Sequence, residues 1–591
     1  MADRLVLGRL FRRPERAWGA GLIAVLVVLV VIPLAIIAVD TFRFDESGPR
    51  MVPGAVPGQW TPFYWIRVLA GGFARSIFYE PALHSLLVAL GMTVVSLGLG
   101  SILAWLAVRS DLPWKGFFST VLIIPYIVPS WTVALAWITV FKSARFGGTP
   151  GLLNYLLGVD VPEWVAYGPL PMIIALGVHY VPYTFVLVRG VLANVDSRLE
   201  ESAELLGAGR FEVLRRITLP MALPAIGSAF ILTFSKGLGE FATQAFLGLP
   251  LRYYTLSTRI YSALNNRIFG EGYVMTLILI LSTALMVWMN QAMQGTRKRF
   301  VTMEGKGSRK KPVALRGWRW PVTVLVSLFV LLFVFLPLLL LAWQSLMRVD
   351  GRYGLDNLTL HYWFGDSNPV LAAGQPGIFR SPTVWAAIRN SLLLAAVTAA
   401  VSGAVGLLLG YSVVRNRGRP SSRILEGLSF APYMIPGIAF SGIFLTMFAR
   451  RWGPIPSLYG TFALLALTCI TKYLPYSSSS GIAAVHQIDG SLEEVGMIHG
   501  IGWMRRFTGI VMPLARSGIL SAVLLTFITT MRALDVVVLL VTPKTVLMTS
   551  MIFRYQSQDF TQHAYAVMLV IVFLVLACQG ILNRLGGKME L

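Results

Sequence analysis

Leu199-Glu200-Glu201-Ser202-Ala203-Glu204-Leu205-Leu206-Gly207, followed after nine residues by Ile217-Thr218-Leu219-Pro220, decides the reading of this sequence because it occurs twice. The second occurrence is Leu492-Glu493-Glu494-Val495-Gly496-Met497-Ile498-His499-Gly500, with Ile510-Val511-Met512-Pro513 after the same gap. Glu201 and Glu494 are 293 residues apart, and the same offset relates His179-Tyr180-Val181-Pro182-Tyr183 to Lys472-Tyr473-Leu474-Pro475-Tyr476. Upstream, Pro125-Tyr126-Ile127-Val128-Pro129 matches Pro432-Tyr433-Met434-Ile435-Pro436 at an offset of 307, so the first copy carries extra residues, most simply in its 142–170 loop. Three segments recurring in one order mark two tandem copies of one module.

The solvent of these copies is lipid. Of 591 residues 56% are hydrophobic and 13% charged, far more apolar than soluble domains. Runs long enough to cross the hydrocarbon as helices occur near 17–39, 83–108, 117–141, 169–194, 223–248 and 273–293. A second series follows near 321–346, 391–414, 424–449, 461–487, 518–541 and 565–582. The fold class is therefore all-α integral membrane, with about twelve spans as two tandem six-helix modules. Six spans per copy point both copies the same way, with a pathway between them along an axis normal to the membrane.

The net charge of +23 would suggest nucleic acid in a soluble protein. Here the basic residues sit in short connections, where they act as orientation signals. The leader 1–16 (Arg4, Arg9, Arg12, Arg13, Arg16), the loop 415–423 and the linker 295–320 fall on one side in a twelve-span count, which places both termini in the cytoplasm. The first apolar run exceeds a signal-peptide core, and no small-residue cleavage site follows it, so it reads as a retained anchor. The linker, rich in Lys, Arg and Gly, reads as solvated. The modules are then 17–294 and 321–585, with a tail at 586–591. Cys469 and Cys578 lie in apolar runs and imply no disulfide or metal framework.

The repeated motif resembles the EAA loop of type I ABC importer permeases, whose pattern is Glu-Ala-Ala, three residues, Gly, nine residues, Ile-x-Leu-Pro. A short helix, a glycine turn and a proline opening the next helix suit a lever lying along the membrane. The resemblance assigns ATPase coupling to Glu201, Ala203, Gly207, Glu494, Gly496 and Gly500. The second copy replaces the two alanines with Val495-Gly496, which predicts looser docking there. The fused layout is similar to ferric iron permeases; relatives of that layout also serve thiamine, phosphonates and sugar phosphates. The resemblance implies two ATPase subunits and a periplasmic binding protein as partners, a bacterial inner-membrane location, and ferric iron as first-choice solute.

No Gly-x4-Gly-Lys-Ser/Thr loop occurs, so ATP and Mg belong to a separate ATPase subunit, and no Ser/His/Asp or metal-ligand constellation marks an enzyme. An ion-coupled secondary carrier would use intramembrane carboxylates and need no ATPase; the paired motifs argue against it. Charged residues at membrane depth are costly and mark a pathway or gate. The candidates are His179, Tyr180, Lys236, Glu240, Lys472, Tyr473, Arg532 and Asp535. Spacing allows Lys236 to pair with Glu240 and Arg532 with Asp535 on one helix face. Strict alignment puts Ala533 opposite Glu240, leaving open whether Asp535 substitutes for it. Lys472 has no such partner in its own helix; an unpaired ammonium on the wall would repel a bare cation and favour an anionic or anion-chelated solute, unless Lys472 is neutral or pairs with Glu240 or Asp535 across the halves. Gly406 and Gly410 predict close helix packing.

Overall fold

A computed structural model describes residues 14–143, 148–194, 202–203, 205–297, 313–449, 451 and 456–584, and among them the chain is helical, with only isolated β-bridges. In the first half α1 (Ala17–Asp40) and α2 (Arg75–Arg109) precede a span broken at Val128-Pro129, whose limbs α3 (Lys115–Ile127) and α4 (Trp131–Phe141) meet at 88°. Then come α5 (Pro169–Asn194), α6 (Leu219–Gly239), α7 (Ala242–Gly248), α8 (Leu256–Asn265) and α9 (Phe269–Arg297). The second half repeats the plan with α10 (Arg316–Leu346) and α11 (Pro382–Arg415), then limbs α12 (Pro420–Met434) and α13 (Gly437–Phe448) at 107°. It continues with α14 (Phe462–His486), α15 (Ser491–Ile498), α16 (Trp503–Leu514), α17 (Arg516–Met531), α18 (Met548–Ser557) and α19 (Thr561–Arg584).

Seven of these helices are long and apolar enough to span a membrane alone, and four bent pairs raise the total to 11. The twelfth is α14, which is 25 residues long. Lys472 and the serines at 477–480 dilute its hydropathy, and its buried faces need no lipid-compatible surface. The expected spans 223–248 and 518–541 are not single helices. After Gly239, Glu240 is extended (φ −67°, ψ 135°) before α7 begins, where Gly237 and Gly239 weaken the helix. α17 stops at Met531, and turns follow through 540.

The centre of each half is three packed helices, α2–α5–α6 and α11–α14–α17. Close approach depends on missing side chains: a Cβ on Gly406 would stand 2.5 Å from the Ser477 backbone and one on Gly410 2.3 Å from that of Gly481. Gly100 approaches Thr184 in the same way in the first half. Matched hydrogen bonds fix the repeat register. Leu256 N–H donates to Ser85 Oγ (2.7 Å) and Met548 N–H to Ser391 Oγ (2.9 Å). Ser257 donates to the Glu240 carbonyl (2.6 Å) and Thr549 to the Ala533 carbonyl (2.8 Å). Ala533 therefore occupies Glu240's place in the fold, and Asp535 does not.

The first span of each half packs against the other half. α1 lies on α11, α12 and α13, with Leu26 in one cluster with Leu409, Val413 and Leu425. α10 lies on the first half through Val326, Val330 and Val334, which cluster with Leu103, Leu106, Phe118 and Val181. Only 22% of the apolar window of α1 is buried against 78% for the α5 span, so the exchanged helices are peripheral and mostly face lipid. The described end of the linker is docked rather than free: Val313 N–H donates to the Arg109 carbonyl (2.7 Å), and Leu315 N–H to Asp111 Oδ1 (2.8 Å).

Candidate functional site

The repeated motif forms one end of the site. α15 begins after Asp489, whose carboxylate accepts the Ser491 N–H at 3.0 Å, and acids in its first turn suit the positive helix end. Gly500 closes it at φ +71°, with its own N–H bonded to Met497 O (3.0 Å) and Ile501 N–H to Gly496 O (2.9 Å). This is a Schellman turn, which favours a residue without Cβ. In the first copy Gly207 has φ +88°, and Ala208 N–H bonds to Ala203 O at 3.0 Å. Both expected turns are formed. Glu201 lies outside the described residues. Glu494 is exposed, while Glu493 is buried and fastens α15 to α11, accepting from Tyr411 (2.8 Å) and from Arg415 Nε (2.8 Å). Gly496 is buried because the Arg506 side chain crosses it, with Cδ only 2.9 Å from where a Cβ would stand. Sequence reasoning missed Glu493 and also Leu205 and Ile498. These last two are repeat mates, 88% and 83% exposed, each the last helical residue before its turn. Their signal was an apolar residue at the same motif position in both copies.

The other end is a cavity of ≈ 170 Å³ between the halves, at the level where both spans break. All eight candidate pathway residues line it, together with Tyr126, Ser130, Tyr433 and Tyr476. The two expected ion pairs are not formed, because each helix ends between or just before the partners. Instead the Lys236 ammonium lies 4.2 Å from the Tyr433 ring centre, across the interface. Glu240 accepts from Ser130 Oγ at 2.7 Å. The Asp535 carboxylate sits against Gly437, where a Cβ would stand 1.8 Å from Oδ2. Arg532 donates to the Tyr126 carbonyl and lies 5.0 Å from the ring centre of that tyrosine.

Lys472 answers a need created by the breaks. In a helix the Pro125 carbonyl would accept from residue 129 and the Pro432 carbonyl from residue 436, but both donors are prolines and lack an N–H. Lys472 Nζ donates to the Pro432 carbonyl (2.9 Å) and to that of Ile435, whereas His179, its repeat mate, packs against the Tyr126 and Tyr180 rings, with centres 5.7 and 5.0 Å away. A cation at this carbonyl end is favoured by the helix dipole. Lys472 is therefore a cap on a broken span, and its charge is not the unpaired wall charge expected from sequence. On the side away from α15, Trp131, Phe246 and Phe553 form an aromatic layer. Beyond it lies a second cavity of ≈ 320 Å³, lined by Lys142, Asp350, Gln556 and Asp559 among others. Among the described residues no group of three or more His, Cys, Asp or Glu is arranged to hold a metal ion.

Two pseudo-equivalent halves around a polar midplane cavity, each with a glycine-terminated helix on one face, define a transport permease. The chain belongs to the family described as the binding-protein-dependent transport system inner membrane component, which matches residues 96–298 and 402–585. It is 24% identical over 582 residues to the ferric transport system permease protein FbpB of Actinobacillus pleuropneumoniae, covering 97% of this chain and 77% of that one. It is 25% identical to the putative ferric transport system permease protein FbpB 1 of Haemophilus influenzae, covering 89% and 77%. The molybdenum transport system permease protein ModB of Escherichia coli K12 matches 32% of this chain and 80% of its own length at 30% identity. The chain is thus a multi-pass inner-membrane permease of an ABC importer, with one family unit in each half.

Proposed function

We propose that this permease couples to two ATPase subunits, one at each glycine-terminated helix, and imports ferric iron received from a periplasmic binding protein. The observation that carries the coupling is the pair Leu205 and Ile498. Large apolar side chains left 88% and 83% exposed at twofold-related positions are anchors for a partner pocket. On this reading the α15 face and both termini are cytoplasmic, the modules are 17–294 and 321–585, and ATP and Mg bind the partner. The solute rests on the ferric permeases that resemble the chain over most of its length.

A small phosphorus-containing anion is the second reading, favoured by three cations against two carboxylates at the cavity. The structure weakens it, because Lys472 and Arg532 are engaged with backbone carbonyls. The test is uptake into vesicles holding the permease with its ATPase and binding protein. ATP-dependent accumulation of radiolabelled ferric iron is expected, with loss of ATPase co-purification in Leu205→Asp/Ile498→Asp. Retained co-purification would overturn the coupling assignment, and uptake of phosphate esters without iron would overturn the solute.

A further inference from the structure

The proline breaks leave more carbonyls than Lys472 covers. The helical donors for Tyr126 and Ile127 would be residues 130 and 131, and for Met434 residue 438, all beyond the bends. A carbonyl freed at membrane depth needs a local donor. In the first half that donor is Arg532 of the second half, which bonds to Tyr126 O and reaches Ile127 O at 3.4 Å. In the second half it is Thr283 of the first half, whose hydroxyl stands 2.7 Å from Met434 O, the closest of the three carbonyls in its reach. Ile127 and Met434 are repeat mates, at the 307 offset of the proline segments. Equivalent carbonyls are thus capped reciprocally across the interface, by a guanidinium in one direction and a hydroxyl in the other.

We infer that this reciprocal capping in trans is the interlock that holds the cavity shut, and that the pathway opens where Arg532 and Thr283 leave the opposite half's carbonyls. Parting the halves strips Tyr126, Ile127 and Met434 of their donors at once, until water or the hydration shell of the solute replaces them. The cap at Pro432 stays intact, because its donor, Lys472, belongs to the same half as the break. The Lys236–Tyr433 contact crosses in the same sense and parts with them. The inference concerns regulation of the cavity named above and rests on its being the transport pathway.

Labelling of a cysteine at Ser235, a cavity-lining residue, tests it in the full chain in nanodiscs, with Cys469→Ala and Cys578→Ala removing background thiols. Arg532→Met is expected to raise the rate of labelling by a small hydrophilic maleimide about ten-fold and Thr283→Val about five-fold, as loss of a charged and a neutral hydrogen bond implies. Lys472→Met removes a comparable donor within one half and should leave the rate within about two-fold. Unchanged labelling in the first two variants, or equal acceleration in the third, overturns the interlock. Thr283→Val is nearly isosteric and carries the test alone if Arg532→Met does not fold. The labelling needs no ATPase: faster labelling without raised basal ATP hydrolysis in the assembled complex would sink the coupling reading and leave the interlock standing.

Discussion

Gly496 and Arg506 in the second half stand where the first half has Ala203 and Val213. The glycine that reads as decay of the motif is the space through which a longer side chain passes. Gly496→Ala should cost about 1 kcal/mol of stability by overpacking, and Arg506→Val should recover most of it. A double-mutant cycle on thermal unfolding checks this, and additive losses would show that the two side chains are independent. Lys472 carries a similar lesson. Its spacing to other charges was legible, yet its partners are backbone carbonyls, which a pattern of side chains does not display. Lys472→Met should lower stability by about 1–3 kcal/mol and leave the choice of solute unchanged. Lys472→Glu should be worse whatever the charge of the solute, because it sets a carboxylate against carbonyl oxygens. A shift of preference toward cations in competition uptake would restore the sequence-based view.

At the scale of elements, the coupling turns were readable from sequence because a left-handed residue after a short helix has a compositional signature. Gly207→Val and Gly500→Val each place a β-branched side chain at positive φ, at a cost of order 1–3 kcal/mol. Both should weaken ATPase co-purification to a similar degree, since the two turns share one geometry. A markedly smaller loss at Gly500 would support the looser docking expected from the degenerate motif. The ends of α6 and α17 were not readable, because apolar residues continue past Gly239 and Met531 and the hydropathy of a span does not record whether its backbone turns.

For the whole molecule, the number of spans followed from the apolar runs and the twofold relation of the halves from the repeated segments, but the exchange of first spans followed from neither. Contact between α1 and α11 leaves no periodic trace in either helix. Deleting residues 17–40 should therefore expose the second half, and limited proteolysis ought to show new cleavage in the connection between α11 and α12 with the first half little changed. Cleavage confined to the first half would contradict the packing described. Co-expression of the halves as separate chains, divided within the linker, should return a single complex.

The same exchange sets a timetable for biogenesis. When α1 leaves the ribosome, the surface it will cover has not been made, and it waits in the bilayer until α11 to α13 are translated. At about 5–20 residues per second, that wait is on the order of twenty seconds to more than a minute. The nascent first half meanwhile lacks α10, which covers its own flank. Neither half can finish folding ahead of the other, so a ribosome that stalls in the linker releases a membrane fragment with an open flank, a natural substrate for membrane proteolysis.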